Sequence, residues 1–492
     1  MGACGSLSRG DQSLGLSSFK FRTCDYTRVV TTLSSICTGL FGRAQAQISR
    51  LLSSRGQKVS QPHHPAWRIF IRQDLVPLGL PSEIAFRNEV EHVDQIVVVG
   101  ASLAGIRACQ NLRREGFEGT LTLIGAEKHR PYDRPPLSKT MLSTDQDPEE
   151  LLLVSEDALS DLDLNLMLGE SATSLDVRRQ AVTVGDDQIR YEGLIIATGA
   201  APRKLPKTDT IEGVHVLRTV DDALAIRKRL IPGASVVIVG AGFVGSEVAA
   251  AASNRGCAVT VVEAAAAPLI RGLGVEMGEA CGDLHQVHAV NLRLGVGVAS
   301  IIGRDEVEGV ELTDGTQLLA DLVVVGIGAV PNTDWLASSG LKIDDGVVCD
   351  GTMSTGVPGV YAVGDVAKAP NAWLGPSPVR VEHWTAATEQ AILVAGNLLH
   401  PERSRVYDSV PFVWSDQYND RIQVAGDTDS SEHVEVLVGS VEEQAFVTGY
   451  RRDGALAGVM ALNSIRPFVQ YRRLLMGHGS WDDALALAAE LS

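Results

Sequence analysis

Gly240, Gly242 and Gly245 stand in the spacing GxGxxG, between the apolar run SVVIV and the alanine-rich stretch EVAAAA. A strand-to-helix turn needs that spacing to receive a dinucleotide pyrophosphate on the free N–H groups of a helix start. Glu263 closes the following apolar run, about 20 residues on, as the fingerprint requires. A carboxylate there accepts hydrogen bonds from ribose hydroxyls and repels a 2′-phosphate, so this turn is expected to take NADH rather than NADPH. An earlier turn, GASLAG, repeats the pattern at Gly100 and Gly105, with Ser102 in place of the middle glycine. Gly100 permits the sharp turn, and Gly105 lets the helix pack close to its sheet.

The first unit ends in a charged loop, PYDRPPLSK, residues 131–139. Two adjacent prolines fix its backbone and hold Arg134 and Lys139 in defined directions. Two further strand ends are built of small or acidic residues: Ala197-Thr198-Gly199 after YEGLII, and Gly364-Asp365 after GVYAV. Ligands in open α/β sheets bind beyond such carboxyl ends. ATG and GD bracket the complete fingerprint in sequence.

These residues need a particular set of elements to hold them. VVVG, 97–100, a helix and LTLIG form one β-α-β unit, and SVVIVGAGFVGSEVAAAASNRGCAVTVVE, 235–263, forms a second. Residues 151–190 read as short helical and strand pieces. DLVVVGIGAVPN, 321–332, reads as a further strand, and RVEHWTAATEQA, 380–391, as a helix. The simplest topology is one nucleotide domain interrupted by another. Residues 93–205 and 332–405 form the first domain and residues 206–331 the second. Residues 406–492 alternate as strands, end in a helix and carry no glycine fingerprint, so they form a third, smaller α+β domain. The fold class is α/β, with two Rossmann-like domains and this C-terminal domain.

The chain has 492 residues, enough for about three domains of ordinary size. No apolar run approaches the ~20 residues that span a bilayer. The net charge of −17 argues against non-specific nucleic-acid binding. The charge is uneven. Residues 1–92 hold 11 Lys and Arg against 6 Asp and Glu. The first 60 residues, rich in Ser and Arg, have the composition of a transit peptide, and the opening MGACGS fits a myristoylation pattern. The preferred reading is a disordered extension, or upstream sequence that is no part of the working protein. A cytoplasmic location is expected, or a mitochondrial one if residues 1–60 act as a transit peptide. The seven cysteines, Cys4, Cys24, Cys37, Cys109, Cys257, Cys281 and Cys349, form no CxxC or CxxxxC. That spacing offers no metal site, no cysteine-bound cluster and no local redox disulfide.

GASLAG, PYDRPPLSK, LRTVDDA (217–223), GAGFVGSE, GVYAVGDVA, RVEHW and VPFVWSDQYNDRIQVAG occur in that order. Together they resemble the FAD-dependent ferredoxin reductases of bacterial dioxygenase and cytochrome P450 systems, over roughly residues 93–475. The resemblance implies that the first fingerprint holds FAD and the second NADH. It places FAD contacts at Gly100, Ser102, Ala104, Gly105, Arg134, Lys139, Ala172, Arg218, Asp365 and Trp384. Thr198 and Gly199 join them from the ATG strand end. The acid for the FAD ribose usually follows the glycine of LIG directly; here Ala126 holds that place and the acid is Glu127. NADH contacts are implied at Gly240, Gly242, Phe243, Val244, Gly245, Glu247, Glu263, Arg271, Ile327 and Gly328.

Lys139 and Glu247 are the expected reactive centre. In the resembled family a lysine of the PPLSK loop lies beside flavin N5, paired with the glutamate that follows the second fingerprint. An ammonium there favours the charge that builds on a reduced flavin in a partly dry site. The glutamate holds the lysine in place. Without a CxxxxC near the first fingerprint, electrons must leave from the flavin itself. The expected partner is a ferredoxin-type iron–sulfur protein that feeds an oxygenase, making this an NADH:ferredoxin oxidoreductase. Trp384 and Trp414 would line the exit. Arg451, Arg452, Arg466, Arg472 and Arg473 are candidates for docking an acidic ferredoxin. Two alternatives stay open: an NADH oxidase or small-molecule reductase, and a flavoprotein like the apoptosis-inducing factors.

Overall fold

The computed structural model describes residues 93–375, 377–429 and 431–491. The extension of residues 1–92, with Cys4, Cys24 and Cys37, lies outside the described residues.

Strand Gln95–Val99 is the centre of the first sheet, and Ile96 to Val99 are buried on both faces, as β-branched residues between two helical layers should be. The sheet is wholly parallel, in the order Val360–Ala362, Gly193–Ile196, Gln95–Val99, Thr120–Gly125, Leu164–Leu168. Helix Leu103–Arg114 follows the first turn and buries Leu103, Ile106, Cys109 and Leu112 against it. Gly100 takes φ +120°, and a Cβ at Gly105 would meet the Gly100 carbonyl oxygen at 1.8 Å. The two glycines therefore let helix and strand end touch, as the spacing predicts.

The second sheet repeats this plan. Its parallel order is Asn291–Leu294, Ala258–Glu263, Ser235–Val239, Leu322–Val325, Val214–Val216. Gly240 takes φ +100°, and a Cβ at Gly245 would lie 2.0 Å from the Gly240 oxygen. The strand Val360–Ala362 of the first sheet comes after this whole unit. The two crossings meet: strands Ala200–Pro202 and Ala329–Pro331 pair antiparallel, with Ala201 opposite Val330. Asn332 pins the junction by donating to the Thr198 carbonyl at 2.8 Å.

The charged loop is anchored in the second unit. Pro135–Ser138 form a tight turn, and Met141 and Leu142, just beyond Lys139, are fully buried. They pack in one cluster with Val220, Ile226, Val248, Ala249 and Ala252. Burying each such side chain is worth about 2 kcal/mol. Lys139 is thus held by apolar neighbours sunk into the core beside helix Phe243–Asn254.

The C-terminal part is a five-stranded antiparallel sheet, Phe412–Gln417, Asp420–Gly426, Ala455–Leu462, Ala445–Arg452, His433–Ser440. One face packs on helix Ile270–Val287 through Leu273, Met277 and Leu284 against Ile422, Phe446 and Met460. Two helices, Ile465–Met476 and Trp481–Leu491, follow where the sequence reading has one. Gly477, His478 and Gly479 break them, with His478 at φ +55°. The expected helix 380–391 instead runs over Trp384–Leu399, because Val379–Arg380 forms a short strand first.

Candidate active site

The two nucleotide turns open into one cavity of about 1030 Å³. It runs from Ser102 and Ala104 past Arg134 and Lys139 to Gly240, Gly242, Phe243, Val244, Glu247, Glu263, Arg271, Ile327 and Gly328. Asp365, Trp384 and Trp414 complete its wall. A second cavity of about 560 Å³ adjoins it, lined by Gly100, Glu127, Ala172 and Thr198. Ser102, Arg134, Gly199 and Arg218 line both. Gly105 and Gly245 line neither; their place is the contact between helix and strand end.

In the wall of the first cavity Lys139 Nζ lies 2.8 Å from Glu247 Oε1. Glu247 is 5 % exposed and Lys139 17 %. A buried carboxylate needs its lone pairs filled. Two hydroxyls do this: Ser415 donates to Oε1 at 2.6 Å, and Ser138 donates to Oε2. One carboxylate is thereby tied to the charged loop and to the C-terminal sheet.

Arg134 spans the narrow part between the cavities. Its guanidinium pairs with Glu127, donates to Ser102 Oγ at 3.0 Å and reaches the Arg218 carbonyl. Tyr132 donates to the same Glu127 carboxylate. Arg218 pairs with Asp365 at 3.0 Å. The expected ribose acid therefore faces the second cavity, but one of its oxygens is already held by Arg134 and the other by Tyr132. Glu263 accepts the N–H groups of Ala241 and Ala265, both at 2.8 Å, which fixes its carboxylate at the edge of the second turn. Trp384 donates to Asp133 at 2.7 Å and meets Trp414 edge to face, with ring centroids 6.1 Å apart.

The family described as pyridine nucleotide-disulphide oxidoreductase matches residues 94–391, and that described as reductase C-terminal matches residues 412–491. The chain belongs to the pyridine nucleotide-disulphide oxidoreductase family. Rhodocoxin reductase of Rhodococcus erythropolis is 39% identical over 386 residues, which span 77% of this chain and 89% of the relative. The crystal structure of a ferredoxin reductase from Rhodopseudomonas palustris matches with a TM-score of 0.77 and 33% identity, over 81% of this chain and 100% of that one. A covalent complex of putidaredoxin reductase with putidaredoxin matches with a TM-score of 0.75 and 32% identity, over 78% of this chain and 93% of that one. The protein is an NAD(P)H-dependent flavoprotein reductase related to the ferredoxin reductases.

The residues present fit FAD and a nicotinamide dinucleotide. A Cβ at Gly242 would meet nothing within 4 Å, so the second turn leaves its backbone open to a pyrophosphate. The first turn gives that approach to Ser102, whose hydroxyl is held by Arg134. Despite the family's name, the described cysteines Cys109, Cys257, Cys281 and Cys349 are all free. Burial pushes the thiols of Cys109, Cys281 and Cys349 up to about 12, so they stay protonated.

Sequence reasoning missed Ser138, Asp133, Tyr132 and Ser415. Ser138 and Asp133 sit inside PYDRPPLSK, and Ser415 inside the VWSDQ stretch, so their neighbourhoods were visible though their roles were not. The five arginines divide. Arg452 pairs with Asp427, Arg451 lies over Trp481 and Arg472 over Phe412. Arg466 and Arg473 are exposed on helix Ile465–Met476.

A second polar link lies behind Glu247. His285 is 1 % exposed and bonds Tyr418 OH at 2.8 Å and Ser246 Oγ at 3.3 Å. Burial first, and then nearby His288, lowers its pKa from 6.5 to about 4. The folded protein therefore keeps His285 neutral while the unfolded chain protonates it below pH 6.5. Its contribution is complete above that pH and is lost as pH falls towards 4, by about 3 kcal/mol. Urea unfolding at pH 7 and pH 4 should show this loss, and His285→Gln should flatten the pH dependence by about one proton. An unchanged slope in His285→Gln would show that other groups carry it.

Proposed function

We propose that the protein takes two electrons from NADH and delivers them one at a time to a ferredoxin-type iron–sulfur protein. The observation that carries this is the buried Lys139–Glu247 pair, set in the wall of the one cavity into which both nucleotide turns open. Residues 93–205 with 332–405 would hold FAD, residues 206–331 would hold NADH, and residues 406–492 would face the partner.

When bound, FAD supplies the chemistry of accepting a hydride and releasing single electrons. The chain's own residues bind and place. Gly100, Ala104 and Gly105, with Ser102 and Arg134, shape the first turn for a pyrophosphate, and Glu127, Ala172, Thr198, Gly199, Arg218 and Asp365 line its further wall. Gly240, Gly242 and Gly245 shape the second turn, with Phe243, Val244, Arg271, Ile327 and Gly328 around it. Lys139 brings its charge to the wall of the shared cavity, where burial weakens screening and a preset charge favours an electron-rich ligand. Glu247 balances that charge and sets its direction. Glu263 offers its remaining lone pairs to ribose hydroxyls.

Trp384 and Trp414 form one wall of the cavity and would line the way out for electrons. The described cysteines are all free, and none forms a disulfide that could take them instead. Arg466 and Arg473 offer exposed positive charge to an acidic partner on a chain that is otherwise acidic.

Two measurements check this. Purified protein with bound flavin should be bleached anaerobically by NADH about tenfold or more faster than by NADPH, and Glu263→Ala should narrow that ratio. An equal response to both nucleotides would remove Glu263 from the reading. In air, NADH consumption should be slow alone and rise on adding a [2Fe–2S] ferredoxin. Fast consumption without any protein acceptor would make it an oxidase or small-molecule reductase. Long-lived reduced flavin that no ferredoxin discharges would make it a signalling flavoprotein.

A further inference from the structure

The carboxylate of Glu247 has three donors, and they come from both sides of it. Lys139 and Ser138 reach it from the charged loop of the first unit. The third, Ser415, belongs to the C-terminal sheet. It sits on the edge strand Phe412–Gln417, whose period of two puts Val413, Ser415 and Gln417 on one face and Phe412 and Trp414 on the other. Phe412 and Trp414 stack with each other, with centroids 5.9 Å apart. The opposite face bears on helix Phe243–Asn254.

Ser415 is fully buried, and its hydroxyl is oriented from behind. Gln417 Nε2 donates to Ser415 Oγ at 3.3 Å, so the hydroxyl hydrogen is left for Glu247 Oε1 at 2.6 Å. Lys139 shares that same oxygen at 2.8 Å. The same hairpin also grips the neighbouring residue of the helix: Tyr418, at its turn, bonds His285, which bonds Ser246. Tyr418 holds a left-handed φ of +57° in doing so. Two adjacent helix residues, Ser246 and Glu247, are thus each tied to one hairpin of the C-terminal sheet.

We infer that Ser415 is a positioning residue for the Lys139–Glu247 pair, so that the hydride site is assembled from all three units rather than from the two nucleotide folds alone. This rests on the reading of Lys139 and Glu247 given above. The physical reason is the carboxylate's burial. At 5 % exposure water cannot replace a lost donor, and an unfilled lone pair pulls the lysine out of line to fill it. The domain that would meet the electron acceptor then touches the group that sets the hydride-accepting geometry.

The test uses the flavin-loaded full chain and follows anaerobic flavin bleaching by NADH. Ser415→Ala should lower the limiting rate constant about tenfold, the size of one lost hydrogen bond to a charged group. Half-saturation by NADH and the bound-flavin spectrum should stay within about twofold of the parent. Ser415→Thr, which keeps the hydroxyl, should restore most of the rate. In a Lys139→Met background, Ser415→Ala should cost nothing further, because the geometry it sets is already gone. A parental limiting rate in Ser415→Ala, or an equal loss in both backgrounds, overturns the inference. If Ser415→Ala loses its flavin, Gln417→Leu is the second probe. It should give a smaller drop in limiting rate, and an unchanged rate overturns the inference equally. Failure of NADH to bleach the parent protein would instead remove the proposed function itself.

Discussion

One ion pair organises this molecule. Placing a carboxylate at 5 % exposure is costly unless charge and hydrogen bonds replace its water. Glu247 therefore needs Lys139, Ser138 and Ser415 together, and these three lie on two separate elements distant in sequence. The first two arrive on a loop whose prolines stiffen it and whose Met141 and Leu142 are sunk into a neighbouring core. The third arrives on a strand edge of the last sheet. Removing one partner of such a pair leaves a buried charge unmatched, so the arrangement acts as a whole.

The rest of the fold holds the ends of that contact still. Each nucleotide unit depends on a helix pressed onto the end of its own first strand, closer than any side chain would allow. The paired crossings Ala200–Pro202 and Ala329–Pro331 fix one unit against the other. The C-terminal sheet buries Ile422, Phe446 and Met460 on helix Ile270–Val287, bringing Ser415 and Tyr418 down onto the helix that bears Glu247. The cavity walls are thus rigid elements, which suits a site whose contribution is placement.

Much of this was legible in the sequence because it is local. A turn that must adopt positive φ demands glycine, so Gly100 and Gly240 announce themselves, and Gly105 and Gly245 follow from the spacing. The strand ends ATG and GD were visible for the same reason. Lys139 and Glu247 were reached through resemblance, and the structure puts them in contact. Ser415 and Ser138 were not legible: serine is common, and what distinguishes these two is a long-range contact that no periodicity records. The link through His285 and Tyr418 was missed for that reason too. The sequence reading has one terminal helix where there are two, and the break falls at Gly477 and Gly479. Of the five candidate docking arginines, three are turned to rings or to Asp427, and Arg466 and Arg473 are exposed on one helix.

The most direct test is rapid anaerobic mixing of NADH with flavin-loaded parent protein, Lys139→Met, Glu247→Gln and the double variant. Each single change is expected to slow flavin bleaching at saturating NADH by about tenfold to a hundredfold, and the double variant no further than the slower single one. A parental bleaching rate in Lys139→Met with full flavin content would contradict the central role of this pair.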